Sequence, residues 1–256
     1  MSRIRAVTAA LFVCCCLPAT AGAAQTVTLH TSFSPDRLGA STTIGFGFQI
    51  TNPNGSLPAP LTSLSLHLPA GIDYVTTTLG LAICQPANLL ARGLGGCSPN
   101  SRLGYGSAFV EVPFGQGSGH EIPEIQALMG PPHNGNIVVL FYANGQEPVY
   151  AQLVFQGELV SGSNALGGDL NAAIPLIPSV PGGAPVSIVS VESTIGPSHL
   201  TYYKHVHGKK VAFHPKGVSV PLSCPREGFT FSATFGFSDG TSAVANSVVP
   251  CPPRRR

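Results

Sequence analysis

Apolar and polar residues alternate along many short runs of this chain, and this period of two limits the fold more than any other feature. The run Thr42–Thr51 places Ile44, Phe46, Phe48 and Ile50 on one face of an extended segment. Side chains of a β-strand point alternately to its two faces, so the run predicts a strand with one buried face. Strands of this kind are typical of antiparallel sheets, and the sequence therefore predicts an all-β fold.

The same alternation recurs in Thr26–Phe33 and Leu61–Leu68, between turns rich in Gly, Pro and Asn. The 256 residues include 30 Gly and 24 Pro, and 43% of residues are hydrophobic. Disordered chains combine low hydrophobicity with high charge, so this composition excludes disorder for most of the chain. One segment, Gln85–Leu94, has helical character and ends at glycines. Ten further strands are predicted at Glu121–Met129, Asn136–Ala143, Val149–Leu159, Leu170–Ile174, Val186–Glu192, Leu200–His207, Lys210–His214, Gly217–Leu222, Phe229–Phe237 and Ala243–Val249.

The first 24 residues have the three parts of a secretory signal peptide. Arg3 and Arg5 precede an uncharged apolar run, Ala6–Leu17, which is followed by the small residues of Ala21–Ala24. The apolar run has about a dozen residues, too few to cross a bilayer, which needs about 20. We expect residues 1–24 to be removed, and the mature chain to be secreted or associated with the cell envelope, with no transmembrane segment.

Four cysteines remain after the predicted cleavage: Cys84, Cys97, Cys224 and Cys251. An even number of cysteines in an exported chain indicates disulfides, and four cysteines allow three pairings. The sequential pairing of Cys84 with Cys97 and of Cys224 with Cys251 is favoured because each bond closes a short loop. The alternative is metal ligation, which the absence of any C-x-x-C pair disfavours.

A stretch around the first cysteine pair carries a family resemblance. It consists of a strand ending in Ile50-Thr51-Asn52, a Pro-rich loop, a strand running into Leu68–Val75, and the pattern from Cys84 to Cys97 that continues to Ala108. Over about residues 42–110 it resembles the Ig-like repeats of bacterial surface proteins and uncharacterised secreted proteins of high-GC actinobacteria. Ser98 stands where that group often has proline. The resemblance implies an Ig-like β-sandwich and assigns no catalytic or binding residue.

These observations predict two antiparallel β-sandwich domains. The signal peptide, 1–24, precedes an Ig-like sandwich at 25–113, and a jelly-roll-like second sandwich follows at 119–251, before a basic tail at 252–256. The Gly-rich stretch at 114–119 would separate the two domains. A single merged sandwich is the alternative architecture.

Histidines are concentrated in one segment that has metal-binding potential. His205 and His207 are two apart in a predicted strand, so both face the same side, and a turn through Gly208 would bring His214 alongside. Imidazoles on one sheet face can bind zinc or copper. The alternative is a solvated hairpin face.

The same segment mixes aromatic and basic residues: Tyr202, Tyr203, Lys204, Lys209 and Lys210. A face of this kind would bind an anionic wall polymer or a carbohydrate, in a salt-sensitive manner. An ordinary soluble surface is the alternative.

Catalytic patterns are not found in the sequence. There is no G-x-S-x-G elbow, and the acids Glu121 and Glu124, with Pro123 between them, would point to opposite faces of an extended strand. The chain carries 13 basic and 11 acidic residues, and loss of Arg3 and Arg5 would balance them, which argues against a nucleic-acid partner.

The sequence therefore predicts a non-enzymatic extracellular or cell-surface protein with a structural or adhesive role and no cofactor. A module that binds carbohydrate or wall polymer is the first alternative, and a metal-binding protein is the second. The expected partner is a cell-wall polymer or another surface protein.

Overall fold

The computed structural model describes residues 25–72, 79–147, 150–161 and 166–252. The predicted signal peptide, 1–24, lies outside these residues, as does the predicted basic tail apart from Pro252. So do Asp73, Tyr74 and Val75 of the motif that carried the family resemblance. No helix in the described ranges is long and apolar enough to cross a bilayer.

The described residues form one short α-helix, two single 3₁₀ turns and fifteen strands. The helix is α1 (Pro86–Arg92), and the 3₁₀ turns follow it at Gly93–Gly96 and Pro99–Ser101. The strands are β1 (Thr26–Ser34), β2 (Ser41–Thr51), β3 (Leu61–Pro69), β4 (Arg102–Phe114), β5 (Gly117–Glu121), β6 (Glu124–Met129), β7 (Ile137–Gly145), β8 (Ala151–Val160), β9 (Leu166–Ala173), β10 (Ser187–Ile195), β11 (Tyr202–Val206), β12 (Lys209–Phe213), β13 (Val218–Ser219), β14 (Phe229–Phe237) and β15 (Ser242–Val249).

Thirteen of the fifteen described strands form one antiparallel sheet, which confirms the all-β prediction. Their order is β1-β2-β10-β4-β6-β7-β8-β9-β3-β14-β15, with β5 beside β4 and β13 beside β2. The two end strands, β1 and β15, lie against each other. There the Ser247 hydroxyl oxygen accepts hydrogen bonds from the Thr31 amide, at 3.1 Å, and the Thr31 hydroxyl, at 2.9 Å. The sheet is therefore nearly barrel-shaped and encloses one interior.

The division into two sandwiches, 25–113 and 119–251, is not confirmed. Strand β10 lies between β2 and β4, and β3 lies between β9 and β14, so strands from both predicted domains are neighbours in one sheet. The predicted separator at 114–119 is the hairpin between β4 and β5. The alternation fixes which face of a strand is buried but not which distant strand it pairs with, and that choice decides the domain count.

The interior is packed unevenly. On one side, β1, β2 and β14 contribute large buried side chains to the main hydrophobic core, and β15 contributes Ala245 and Val249. Rings meet there at short range, with centroid distances of 5.4 Å for Phe33–Phe229 and 5.0 Å for Phe48–Phe235. We call these four strands the filled half. The opposite wall, β4 together with β6 to β9, is the hollow half.

The outer face of the hollow half is covered by the predicted helical segment. Helix α1 begins at Pro86, whose missing N–H is not needed in a first helical turn, and it ends before Gly93, which has a φ of 56°. Its Leu89 is fully buried against Cys84, Leu128 and Leu140. The helix therefore seals the outside of β6 and β7.

Both predicted disulfides are present. Cys84 is bonded to Cys97 and closes the helical segment, and Cys224 is bonded to Cys251, just beyond β15. In the chain-entropy picture each bond stabilises the fold by about 3–4 kcal/mol. The sequential pairing is thus confirmed.

Candidate functional site

An apolar cavity of about 270 Å³ lies inside the curled sheet. Its lining includes the inner face of the hollow half, where Leu153 and the stacked rings of Phe141 and Phe155, 5.1 Å apart, form one wall, and it extends to residues of β2, β3 and β10. Phe48 and Phe231 of the filled half close it from the opposite side. The lining is almost entirely hydrocarbon.

The cavity exists because inward positions of the hollow half carry small side chains. Alternation along the strands decides which residues face inward, and here many of these are alanine or glycine. The small residues that line the cavity are Ala108, Ala127, Ala143, Gly145, Ala151 and Ala172. Protein interiors normally pack as densely as organic crystals, so a space of this size is unusual in a core.

One carboxylate points into this apolar space. Glu121, the last residue of β5, lines the cavity and is only 8% exposed. Its Oε1 atom is fully buried and has no hydrogen-bond partner among the described residues. The carboxylate lies against the backbone of Gly145, where a Cβ would collide with it. Burying a polar oxygen without a partner is costly, so this atom is the chemically distinctive feature of the interior.

The other polar side chains that line the described cavity are Tyr105, Ser193 and Thr194. The Ser193 hydroxyl donates to the Phe46 carbonyl at 3.0 Å, and the Thr194 hydroxyl donates to the Tyr105 carbonyl at 3.4 Å. The donor capacity of these two hydroxyls is used within the wall. Only Glu121 therefore offers an unsatisfied buried oxygen to the cavity in the described part of the chain.

The end of the cavity beside Glu121 carries exposed apolar side chains. Ile122, which follows Glu121, is 64% exposed, and Tyr150, which precedes the cavity-lining Ala151, is 70% exposed. Leu176 is itself a lining residue and is about half exposed. We call Ile122, Tyr150 and Leu176 the mouth. Leu176 lines the cavity and is also exposed to solvent, so the mouth connects the interior with the protein surface.

A second concave feature lies on the outer face of the sheet. It is an open groove of about 690 Å³ with mixed polar and apolar surface, and it crosses β1, β2, β10, β4 and β6. The strand register aligns His30, Gly47, Glu192, Ser107 and Glu124 in one row across these strands. Gly47 forms the floor, because a Cβ at this position would collide with the Glu192 carboxylate.

Glu121 and Glu124 lie on opposite faces, as the sequence predicted. Glu121 lines the interior cavity and Glu124 lines the outer groove. The predicted continuous strand Glu121–Met129 is interrupted between β5 and β6 at Ile122 and Pro123, because proline has no N–H for a ladder hydrogen bond. This corner directs the Glu121 side chain inward at the end of the sheet.

The three predicted metal ligands are not brought together. His205 lies on β11 opposite Lys210 of β12, His207 occupies the hairpin turn with a φ of 49°, and the His214 ring donates to the Leu200 carbonyl at 2.9 Å. No group of three or more His, Cys, Asp or Glu side chains suited to a metal ion occurs among the described residues. His207 lies outside β11, in the turn, and His214 is engaged with Leu200, so the predicted three-histidine site is not assembled.

The predicted aromatic and basic surface divides into two parts. Tyr203, Lys204, Lys209 and Lys210 lie on the exposed hairpin of β11 and β12, where the Lys210 ammonium lies 4.1 Å from the Tyr203 ring centroid. Tyr202 is fully buried, unlike its four neighbours in the predicted set. None of the five lines the cavity or the outer groove.

The buried hydroxyl of Tyr202 closes the end of the sheet opposite the mouth. It accepts a hydrogen bond from the Gly80 amide at 3.0 Å and donates to the Arg102 carbonyl. Burial raises the pKa of Tyr202 above its ordinary value, because the phenolate would lose its hydration. The residue thus has a structural role here.

The sequence placed Glu121 and Glu124 on opposite faces of an extended strand and assigned no role to either acid. Their spacing was the only local signal that separates them. That Glu121 lies in a cavity depends on the small residues of distant strands, which no local pattern reveals.

Comparison of this chain with protein families, with curated proteins and with solved structures finds no match. The resemblance to secreted Ig-like proteins therefore stays a prediction.

Proposed function

We propose that this protein binds a small apolar molecule inside its barrel-shaped sheet. The observation that carries the proposal is the hydrocarbon-lined cavity of about 270 Å³. Ligand pockets commonly measure about 300–1,000 Å³, and this cavity lies just below that range, so its ligand is small. Burial of apolar surface contributes about 25 cal/mol per Å², which is the driving force available to such a ligand.

The chemistry of the lining supports an apolar ligand rather than water. A buried water needs two to four polar partners, and apolar cavities of comparable size stay dry and accept hydrocarbons. Leu153, Phe141 and Phe155 offer no such partners. A hydrocarbon that fills the space restores the dispersion contacts that the wall lacks.

The framework around the cavity supports binding without large rearrangement. The sheet is nearly closed by the contact of β1 with β15, and the helical segment tied by Cys84–Cys97 covers the outside of the hollow half. A pre-formed cavity lowers the cost of ordering the protein around a ligand.

Titration with pyrene tests the proposal, because the emission spectrum of this neutral hydrocarbon reports the polarity around it. We expect saturable binding to the wild-type protein and loss of binding in Ala172→Phe, whose ring fills the cavity. The matched control is Ala173→Phe on the same strand, because Ala173 is exposed on the outer face. The smaller Ala143→Leu substitution, which should weaken binding, serves if Ala172→Phe does not fold. Absence of saturable binding, or equal binding by both phenylalanine variants, would overturn the proposal.

The outer groove favours a second candidate function, the binding of a neutral oligosaccharide. Hydroxyl-rich ligands need open, polar, concave surfaces, and the row from His30 to Glu124 supplies donors and acceptors above a glycine floor. Glu192→Gln and Gly47→Leu are expected to weaken binding on a glycan array, whereas Asn171→Ala, on the outer face of β9, should not. Unchanged binding in both groove variants, or no glycan bound by the wild-type protein, would count against this candidate.

The remaining interpretations from the sequence stay predictions. These are export, the structural or adhesive role, the binding of wall polymer by the hairpin of β11 and β12, and the Ig-like family. A protein that carries a small apolar molecule is compatible with export and with two disulfides.

A further inference from the structure

Resting on the proposed function, we infer that Glu121 anchors the ligand and that the ligand is a small amphiphile with an apolar body and a cationic amine head. The inference joins three observations: an unsatisfied buried carboxylate oxygen, a cavity without basic residues, and the position of that carboxylate beside the mouth. Each constrains a different part of the ligand.

The carboxylate oxygen sets the chemistry of the head group. Oε1 of Glu121 is buried without a hydrogen-bond partner among the described residues, although buried polar atoms in native proteins are nearly always paired. A carboxylate accepts hydrogen bonds, so the missing partner is a donor. A cation satisfies both the hydrogen bond and the charge, and charge-assisted bonds of this type are about twice as strong as neutral ones.

The protein does not supply that cation from the cavity wall. The described lining residues include no Lys, Arg or His. A water molecule at this position would meet Glu121 and a hydrocarbon wall, which gives it too few polar partners. The ligand itself is therefore the source of the donor.

The position of Glu121 orients the ligand. The carboxylate lies at the end where β7 finishes at Gly145 and β8 starts at Ala151, next to Ile122 of the mouth. The wall formed by Phe141 and Leu153 extends inward from there. An amphiphile therefore places its amine near the mouth and its apolar body deep in the sheet.

Gly145 is the positioning residue for this anchor. It has no side chain, and the Glu121 carboxylate occupies the space where a Cβ would project. A methyl group at Gly145 displaces the carboxylate and disturbs the amine contact, while it leaves most of the hydrocarbon wall unchanged. A substitution at Gly145 therefore tests the amine contact of Glu121 separately from hydrocarbon binding in the cavity.

The test uses pyrene as the reporter and three competitors of equal length, octylamine, octan-1-ol and octanoic acid. With the wild-type protein we expect octylamine to displace pyrene most effectively, followed by the alcohol and then the acid. Glu121→Gln should reduce the preference for the amine over the alcohol by at least about tenfold, because the charge-assisted hydrogen bond to the carboxylate is lost. Pyrene affinity should stay within about twofold, because the glutamine is isosteric.

Two controls complete the experiment. Glu227→Gln removes an exposed carboxylate before β14 and should leave all affinities unchanged. Gly145→Ala should reduce the amine preference as Glu121→Gln does, whereas Gly95→Ala, whose Cβ meets no atom within 4 Å, should not. Gly145→Ala also keeps the test decisive if Glu121→Gln does not fold.

The outcomes distinguish the two proposals. If pyrene does not bind the wild-type protein, the proposed function fails and the anchor fails with it. If pyrene binds but the amine is not preferred, or the preference survives Glu121→Gln, the cavity function stands and the anchor is overturned. Preferential displacement by octanoic acid would also overturn the anchor.

Discussion

The two halves of this sheet have the same backbone architecture but opposite interiors. In the filled half, buried rings pack in pairs, Phe33 against Phe229 and Phe48 against Phe235. In the hollow half, inward positions such as Ala143 and Ala172 are small and leave a cavity. One half stabilises the fold by close packing, and the other preserves space by leaving out side-chain volume.

The difference indicates that dense packing and an open cavity are located on different sides of one sheet. The filled half supplies most of the largest buried cluster and lies beside the Cys224–Cys251 bond, whereas the inner face of the hollow half contributes a smaller cluster of Leu103, Ala127 and Val139. Helix α1 and Leu89 compensate on the outside of the hollow half. A binding cavity in a small protein requires this kind of compensation, because native proteins are only marginally stable.

The largest effect is expected from matched removal of aromatic rings. Phe235→Ala in the filled half should lower the free energy of unfolding by about 3–5 kcal/mol, because it opens a void in a fully packed core. Phe155→Ala in the hollow half should cost about 1–2 kcal/mol, because its ring already faces the cavity. Urea denaturation measures both. Equal costs would mean that the two halves are packed alike.

Matched addition of volume should destabilise the filled half and leave the hollow half nearly unchanged. Ala233→Leu places a larger side chain at a fully buried position of β14 and should cost about 1–3 kcal/mol. Ala143→Leu fills space in the cavity and should change stability by less than about 1 kcal/mol in either direction. Thermal denaturation of the two variants measures the difference. Strong destabilisation by Ala143→Leu would contradict an open interior.

A substitution at Tyr202 tests how much its hydroxyl stabilises the end of the sheet opposite the mouth. Tyr202→Phe should cost about 1–2 kcal/mol near neutral pH, because the Gly80 amide and the Arg102 carbonyl lose their partner. The matched control, Tyr203→Phe, changes an exposed ring on the same strand and should be neutral.

The wild-type protein and Tyr202→Phe should differ in how their stability depends on pH. The raised pKa of Tyr202 means that its contribution is complete below about pH 10, the ordinary tyrosine value, and is lost as the pH rises through the raised value. Wild-type stability should therefore fall more steeply above about pH 10 than that of Tyr202→Phe, as denaturation at several alkaline pH values will measure. Parallel curves would exclude this role.

The smallest effect is expected on the outer face of the hollow half. The Asn136 amide, 2.6 Å from Glu158, and the His133 ring lower the pKa of Glu158. Asn136→Ala should raise that pKa toward the ordinary value, as measured by NMR titration, whereas Asn144→Ala should leave it unchanged. A lowered carboxyl pKa gives stability that is present above the unfolded-state pKa and lost as the pH falls through the folded-state value, so the variant should be less sensitive to acid.

Several elements were predictable from local pattern because they depend on neighbours in sequence. The period of two in Thr42–Thr51 and Phe229–Phe237 predicted strands and their buried faces, and both are confirmed. The helical segment ended at Gly93 as its glycines indicated. The disulfides followed from short loop length.

The candidate site was less predictable, because it depends on residues that are far apart in the chain. Glu121 and Glu124 were assigned to opposite faces from their spacing, but the cavity beside Glu121 arises where β5 meets Gly145 of β7. The histidines were expected to converge through a turn, and His214 bonds to Leu200 instead. Spacing specifies direction along one strand, whereas a site needs distances between strands.

The amino-acid order by itself determined the all-β class, the inward-facing residues of each strand and the cysteine pairing, because these follow from backbone geometry and loop length over short separations. Tertiary structure alone decided that β10 is inserted between β2 and β4, that one nearly closed sheet forms, and that its interior is densely packed on one side and encloses a cavity on the other. Strand partners and enclosed volume depend on the sum of many contacts across the chain, and no local period encodes that sum.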